Sequence, residues 1–120
     1  GPRIVELNLF ERPIKYDAAL LAFLESTTNV GGQETPMKEL VVLSALQTSS
    51  RVWVNGEYVN LKSLADESLK NIITESYILK TSNPDVVISN KGSPITFTKI
   101  SAFLFSVEGE PIELQLLVSS

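Results

Sequence analysis

The spacing of apolar residues divides the first part of the chain into one predicted strand and two predicted helices. Residues 4–10 alternate apolar and polar side chains, which is the pattern of a strand with one buried face. Residues 17–26 and 61–75 repeat apolar positions every three or four residues, as amphipathic helices do. Asp17 and Asn60 stand at the starts of these two helices, where their side chains can cap free backbone N–H groups.

Residues 51–60 predict a β-hairpin with two distinct faces. The dipeptide Asn55-Gly56 lies between two β-prone runs and favours a two-residue turn. That turn sets Trp53 directly opposite Tyr58 on one face, because side chains alternate along each strand. Three valines fall on the other face: Val52, Val54 and Val59.

Two neighbouring segments are harder to assign. Residues 27–36 are polar and contain glycine, which predicts a loop that is long for a compact domain. Residues 40–46 are largely apolar and fit either a buried strand or a helix, and we assign them to a strand. The alternative is a helix over residues 36–47, with Thr35 as its cap and Pro36 as its first residue.

The last third of the chain is predicted to be rich in β-structure. Residues 80–84 are interpreted as a linker, since Asn-Pro favours a turn. Alternation predicts strands over 85–89, 94–107 and 112–118, of which the last two pair as an antiparallel hairpin. Together the segments predict an α+β fold: a mostly antiparallel sheet of five to seven strands with two helices packed on one face.

The chain has a suitable length for one domain. Its 120 residues, 43% of them apolar, suffice for a single core, and we expect residues 3–120 to form it. Gly1-Pro2 has the form of a scar left by cleavage of an expression tag, so we expect the domain to be excised from a larger polypeptide. No apolar stretch reaches the roughly 18 residues needed to span a membrane.

Composition removes most catalytic chemistry. The chain has neither cysteine nor histidine, so thiol nucleophiles, imidazole bases and zinc sites built from these residues are excluded. We therefore expect no enzyme, no metal and no cofactor. The net charge is −4 and the ten basic residues are dispersed, which argues against non-specific binding to a nucleic-acid backbone.

The candidate binding residues are the aromatic pair of the hairpin and its two polar neighbours, Trp53, Tyr58, Arg51 and Asn60. Tryptophan, tyrosine and arginine dominate protein interfaces, and flat rings also stack nucleobases. The alternative is that a helix covers this face and that the pair belongs to the core.

Two functions follow from these residues. The first is a non-catalytic protein-interaction or assembly module, expected in a viral, phage or other multiprotein complex, which binds through the hairpin face or through a strand edge. Residues 3–10 and 112–120 are the candidate edge strands, and the alternative is that both are interior and pair with each other. The second is a domain that binds a nucleotide or cap-like ligand by stacking a base on the aromatic side chains.

Overall fold

The computed structural model describes residues 14–106 and 109–120, and the strand predicted over 4–10 lies outside them. The described residues form three helices and eight strands. In chain order the elements are α1 (Ile14–Glu25), β1 (Thr27–Val30), β2 (Gln33–Pro36), α2 (Met37–Gln47), β3 (Arg51–Val54), β4 (Glu57–Asn60), α3 (Leu61–Leu69), β5 (Tyr77–Ser82), β6 (Val86–Lys91), β7 (Phe97–Phe105) and β8 (Pro111–Ser119).

The strands form one four-stranded sheet and two separate hairpins. The sheet has the order β6-β5-β8-β7, and the hairpins are β1-β2 and β3-β4. Every pairing among the described residues is antiparallel. The predicted α+β class with mostly antiparallel strands is confirmed, although the strands are more numerous and are divided among three sheets.

The core lies between the helices and one face of the four-stranded sheet. In β8, Leu114 and Leu116 are fully buried, while Glu113 and Gln115, which alternate with them, are partly exposed on the other face. This alternation of period two is the reason that the sheet has one core face. The buried side chains of the helices, among them Phe23, Leu40 and Leu61, belong to the same cluster.

The assignment of residues 40–46 to a strand was wrong, because they belong to helix α2. Its buried residues are Met37, Leu40, Val41, Ser44 and Ala45, which are spaced as one face of a helix requires. Pro36 is the extended residue immediately before the helix. Further apolar residues on the opposite side of α2 obscure this spacing in the sequence.

The loop predicted over residues 27–36 is a second hairpin, β1-β2. Gly31 and Gly32 form its turn with φ angles of +60° and +83°. The turn of the β3-β4 hairpin has nearly the same values, +50° at Asn55 and +84° at Gly56. Positive φ at both central positions is what a type I′ turn requires, so Gly-Gly carried a hairpin signal.

Three further predictions differ from the structure in the rest of the chain. Residues 80–82, predicted as part of a linker, are the end of β5, a central strand of the sheet. The helix predicted over 61–75 ends at Leu69, although Ile73 beyond it is still buried in the core. Residues 112–118 were a candidate edge strand, but β8 lies between β5 and β7 and pairs with both.

Candidate functional site

The β3-β4 hairpin has the register expected from its turn. Trp53 pairs with Tyr58, and Arg51 pairs with Asn60. The valine face is turned into the protein, and Val52 is fully buried. Trp53 and Tyr58 are 51% and 55% exposed, so none of the three helices in the described residues covers their face. Of the two alternatives left by the sequence, the structure shows the exposed one.

The three exposed side chains of this hairpin contact one another. The ring centroids of Trp53 and Tyr58 lie 4.9 Å apart with an interplanar angle of 68°, an edge-to-face arrangement. The guanidinium carbon of Arg51 lies 4.1 Å from the Tyr58 ring centroid. Such a ring pair contributes about 0.5–1.5 kcal/mol, and an exposed cation–π contact contributes about 0.5–1 kcal/mol. We call Trp53, Tyr58 and Arg51 the aromatic face.

Gln47, a residue that the sequence did not point to, holds the outer edge of β3 beside this face. Its side-chain Nε2 donates to the carbonyl of Trp53 at 2.9 Å, and its Oε1 accepts from the Trp53 N–H at 2.8 Å. The amide thus takes the place that a neighbouring strand would have. Gln47 reaches this position because α2 ends there and Thr48, with φ of +51°, turns the chain back toward β3.

Asn60, the fourth predicted site residue, has a structural contact. Its side-chain oxygen accepts from the backbone N–H of Ser63 at 3.3 Å and thereby caps α3. It lies opposite Arg51 in the ladder, but its oxygen serves the helix start. The structure therefore brings three of the four predicted residues into one contacting group.

The two hairpins support each other at their tips. Glu57 accepts from the backbone N–H of Gly31 at 2.9 Å, and Asn55 donates to the carbonyl of Val30 at 3.1 Å. A Cβ on Gly31 would lie only 2.3 Å from the carbonyl oxygen of Asn55. This close contact fixes the turn of the hairpin that carries the aromatic face.

The aromatic face combines two aromatic rings with the positive charge of Arg51. Within residues 14–106 and 109–120, the ion pairs do not include Arg51. The edge-to-face angle leaves no parallel slot between the two rings, and Arg51 occupies one face of Tyr58. This geometry suits contact with a protein surface that has an apolar part and an acidic group.

A polar cluster that resembles catalytic chemistry extends from the buried Tyr77 and Ser89 to the partly exposed Asp66 and the exposed Lys62. Ser89 donates to Asp66 Oδ1 at 2.5 Å, Tyr77 contacts Ser89 at 3.0 Å, and Lys62 donates to Asp66 at 3.0 Å. Burial raises the pKa of Asp66, but the bonds from Ser89 and Lys62 outweigh it and leave that pKa below 3.8. Ser89 is fully buried and cannot meet a substrate, so this cluster joins α3 to the sheet.

Two features are not found in the described residues. In residues 14–106 and 109–120, no three acidic side chains come together in a way that would hold a metal ion. Among the helices in those ranges, none has the length and apolar character needed to cross a membrane.

We compared the chain with protein-family models, with curated proteins and with solved structures, and it matches none of them.

Proposed function

We propose that this chain is a non-catalytic protein-interaction module that binds a protein partner through the aromatic face. The observation that carries the proposal is the half-exposure of Trp53 and Tyr58 on a hairpin whose opposite face is buried. Large aromatic side chains held in place in this way lose little conformational entropy on binding. They are therefore typical of the central contacts in protein interfaces.

The aromatic face is preorganised by its neighbours. The Gln47 amide holds the backbone of Trp53, and Arg51 lies against Tyr58, so neither ring needs to be ordered by the partner. The partner we expect carries apolar side chains that cover the two rings. It also carries a carboxylate beside Arg51, since no acidic side chain of residues 14–106 or 109–120 forms an ion pair with Arg51.

The proposal is tested by site-specific cross-linking followed by an affinity measurement. A photoreactive phenylalanine analogue at position 58 identifies the proteins that touch the face in an extract of the source organism. The recovered protein is then purified and titrated against the chain, with the emission of Trp53, the sole tryptophan, as the signal. For Trp53→Ala the titration is followed by calorimetry.

We expect Trp53→Ala to raise the Kd at least about tenfold, as the loss of an interface anchor does. The matched control is Phe97→Ala, which truncates an aromatic side chain of the same exposure, 51%, on β7. Its Kd should stay within about twofold of the wild type. Equal effects of the two variants would refute the assignment of the aromatic face.

The nucleotide alternative is tested in the same fluorescence assay. Stacking of a base on Trp53 quenches its emission, so ATP and a methylated cap analogue are titrated against the free chain. The edge-to-face packing of the rings leads us to expect no saturable quenching by either compound. Saturable quenching that Tyr58→Ala abolishes would establish a nucleotide site in place of the protein interface.

A further inference from the structure

Helix α2 has a second apolar face, which the core covers only in part. Leu40 and Val41 are fully buried on the core side. On the other side Val42 and Leu43 are half-buried, and Leu46 is 52% exposed. A helix that is apolar all round is normally covered on every side. The second face of α2 therefore has the composition of a surface that meets another apolar group.

This second face borders an open cavity beside the end of strand β7. The cavity has a volume of about 390 Å³ and separates α2 from residues 104–106. A smaller cavity of about 100 Å³ follows the same strand toward α1, and Lys38 borders both. We call the two together the β7 groove. Its apolar lining includes Leu21, Leu24, Val42, Leu43, Leu46 and Leu104, and its charged lining residues are Glu25, Lys38 and Glu39.

Strand β7 is an edge of the four-stranded sheet. Within the described residues it pairs with β8 alone, so the backbone groups on its other side face the groove side of the sheet. Exposed edges are usually protected by charged residues, by proline or by a bulge. Residues 100–105 contain no charged residue and no proline, and their pairing with β8 has no register shift. In the described part of the chain, no further strand pairs with these residues.

Ser106 supplies an independent indication of a ligand. The residue lines the larger cavity and is only 7% exposed. Its Oγ is buried and has no hydrogen-bond partner in the described part of the chain. A buried hydroxyl without a partner costs about 1–3 kcal/mol, which a polar ligand group would recover once the Ser106 side chain rotates toward the cavity.

We propose that the β7 groove binds an extended peptide segment of a partner protein, which adds a strand to β7 and inserts apolar side chains into the two cavities. Strand addition uses the backbone of an open edge for affinity and pockets on one side for selectivity. An uncharged segment of an edge strand at residues 100–105, an apolar helix face across from it and a buried hydroxyl without a partner are the features that such a ligand requires.

The dimensions specify the peptide further. Residues on one face of a strand are spaced by about 6.8 Å, so two side chains at positions i and i+2 can point toward Ala102 and Leu104. These two residues lie on the core face of β7, where the two cavities open. The larger cavity takes a large apolar side chain and the smaller one takes a small one. A backbone group of the peptide then satisfies Ser106.

The probe is a library of random ten-residue linear peptides displayed on phage and selected against the full chain. We expect enriched peptides with a large and a small apolar residue two positions apart. The best peptide is synthesised, its Kd is measured by calorimetry, and its contacts are mapped by chemical-shift changes. Leu46→Lys should raise the Kd at least about tenfold by placing a charge in the groove, whereas Ile72→Lys, a control at another exposed apolar position, should leave it within about twofold.

N-methylation of the peptide separates strand addition from simple apolar contact. Only alternate N–H groups of the peptide point toward β7 and pair with it. Methylation of this set should raise the Kd at least about tenfold, whereas methylation of the other set should raise it less than about threefold. Equal effects of the two sets, or a selection without enrichment, would overturn the proposal. It would also be overturned if a second copy, or residues of the chain outside the described ranges, were found to fill the groove.

The peptide site is independent of the proposed function of the aromatic face. Trp53→Ala should leave the peptide Kd unchanged, because the aromatic face and the β7 groove share no residue. A loss of peptide binding in that variant would place the peptide on the hairpin and overturn the assignment to β7.

Discussion

Removal of the Gln47 side chain tests whether this amide holds the aromatic face in place. In Gln47→Ala the backbone of Trp53 loses the two hydrogen bonds of 2.8 and 2.9 Å. Each bond contributes about 0.5–1.5 kcal/mol when both partners become solvated on unfolding. The site is exposed, so water replaces part of the loss, and we expect the free energy of unfolding to fall by about 1 kcal/mol.

The assay is urea unfolding followed through the emission of Trp53, the sole tryptophan. A loss of about 1 kcal/mol shifts the urea midpoint by several tenths of a molar without changing the slope, since the slope for a small domain is about 1–3 kcal/mol per molar. Gln47→Glu is the isosteric control. Its carboxylate still accepts from the Trp53 N–H, but it sets a second oxygen against the Trp53 carbonyl, so we expect at least as large a loss.

Hydrogen exchange then locates the effect. The Trp53 N–H should be protected in the wild type and should exchange faster in Gln47→Ala, while the N–H groups of the four-stranded sheet stay unchanged. An unprotected Trp53 N–H in the wild type would refute the proposal that Gln47 holds the backbone of Trp53. A Gln47→Ala variant with the same urea midpoint as the wild type would refute it as well.

Two further predictions concern the supporting structure. Gly31→Ala should cost at least about 2 kcal/mol, because it combines a positive φ with a Cβ placed 2.3 Å from the Asn55 carbonyl, whereas Gly32→Ala meets open space and should cost about 1 kcal/mol in urea unfolding. The hydrogen bond from Tyr16 holds the pKa of Glu75 below 4.5. The stabilisation that this bond gives the folded state is therefore present above pH 4.5, and it disappears as the pH falls through the folded-state pKa of Glu75. Acid unfolding curves of Tyr16→Phe should therefore depend less on pH below 4.5 than those of the wild type, and identical curves would contradict the role of this bond.

The hairpin that carries the aromatic face was predictable because its signal is local. A two-residue Asn55-Gly56 turn determines the pairing of Trp53 with Tyr58, and the observed register is the expected one. Gly31-Gly32 carries the same turn signal, but the strands beside it are short and polar, and such a pattern favours a loop. What the residues alone did not reveal was which face of the β3-β4 hairpin is covered, since that depends on packing between distant elements.

Helix α2 and strand β5 show why other parts of the fold were not predicted from the sequence. The second apolar face of α2 removes the contrast on which a helical pattern depends, and the same residues then line the β7 groove. In β5 the polar run at 80–82 resembles a linker, although Thr81 is fully buried and accepts from the N–H of Val86 at 3.2 Å. The contact of Gln47 with Trp53 depends on where α2 ends, which the sequence pattern did not show.

The most direct test of the central claim is acrylamide quenching of Trp53 in the free chain and in the complex with its cross-linked partner. We expect a red emission that acrylamide quenches readily in the free chain, because the side chain is 51% exposed. We expect protection from acrylamide once the partner is bound, since an interface anchor loses its contact with water. A blue, protected emission in the free chain, or quenching that the partner does not change, would contradict the claim that the aromatic face is an exposed protein-binding surface.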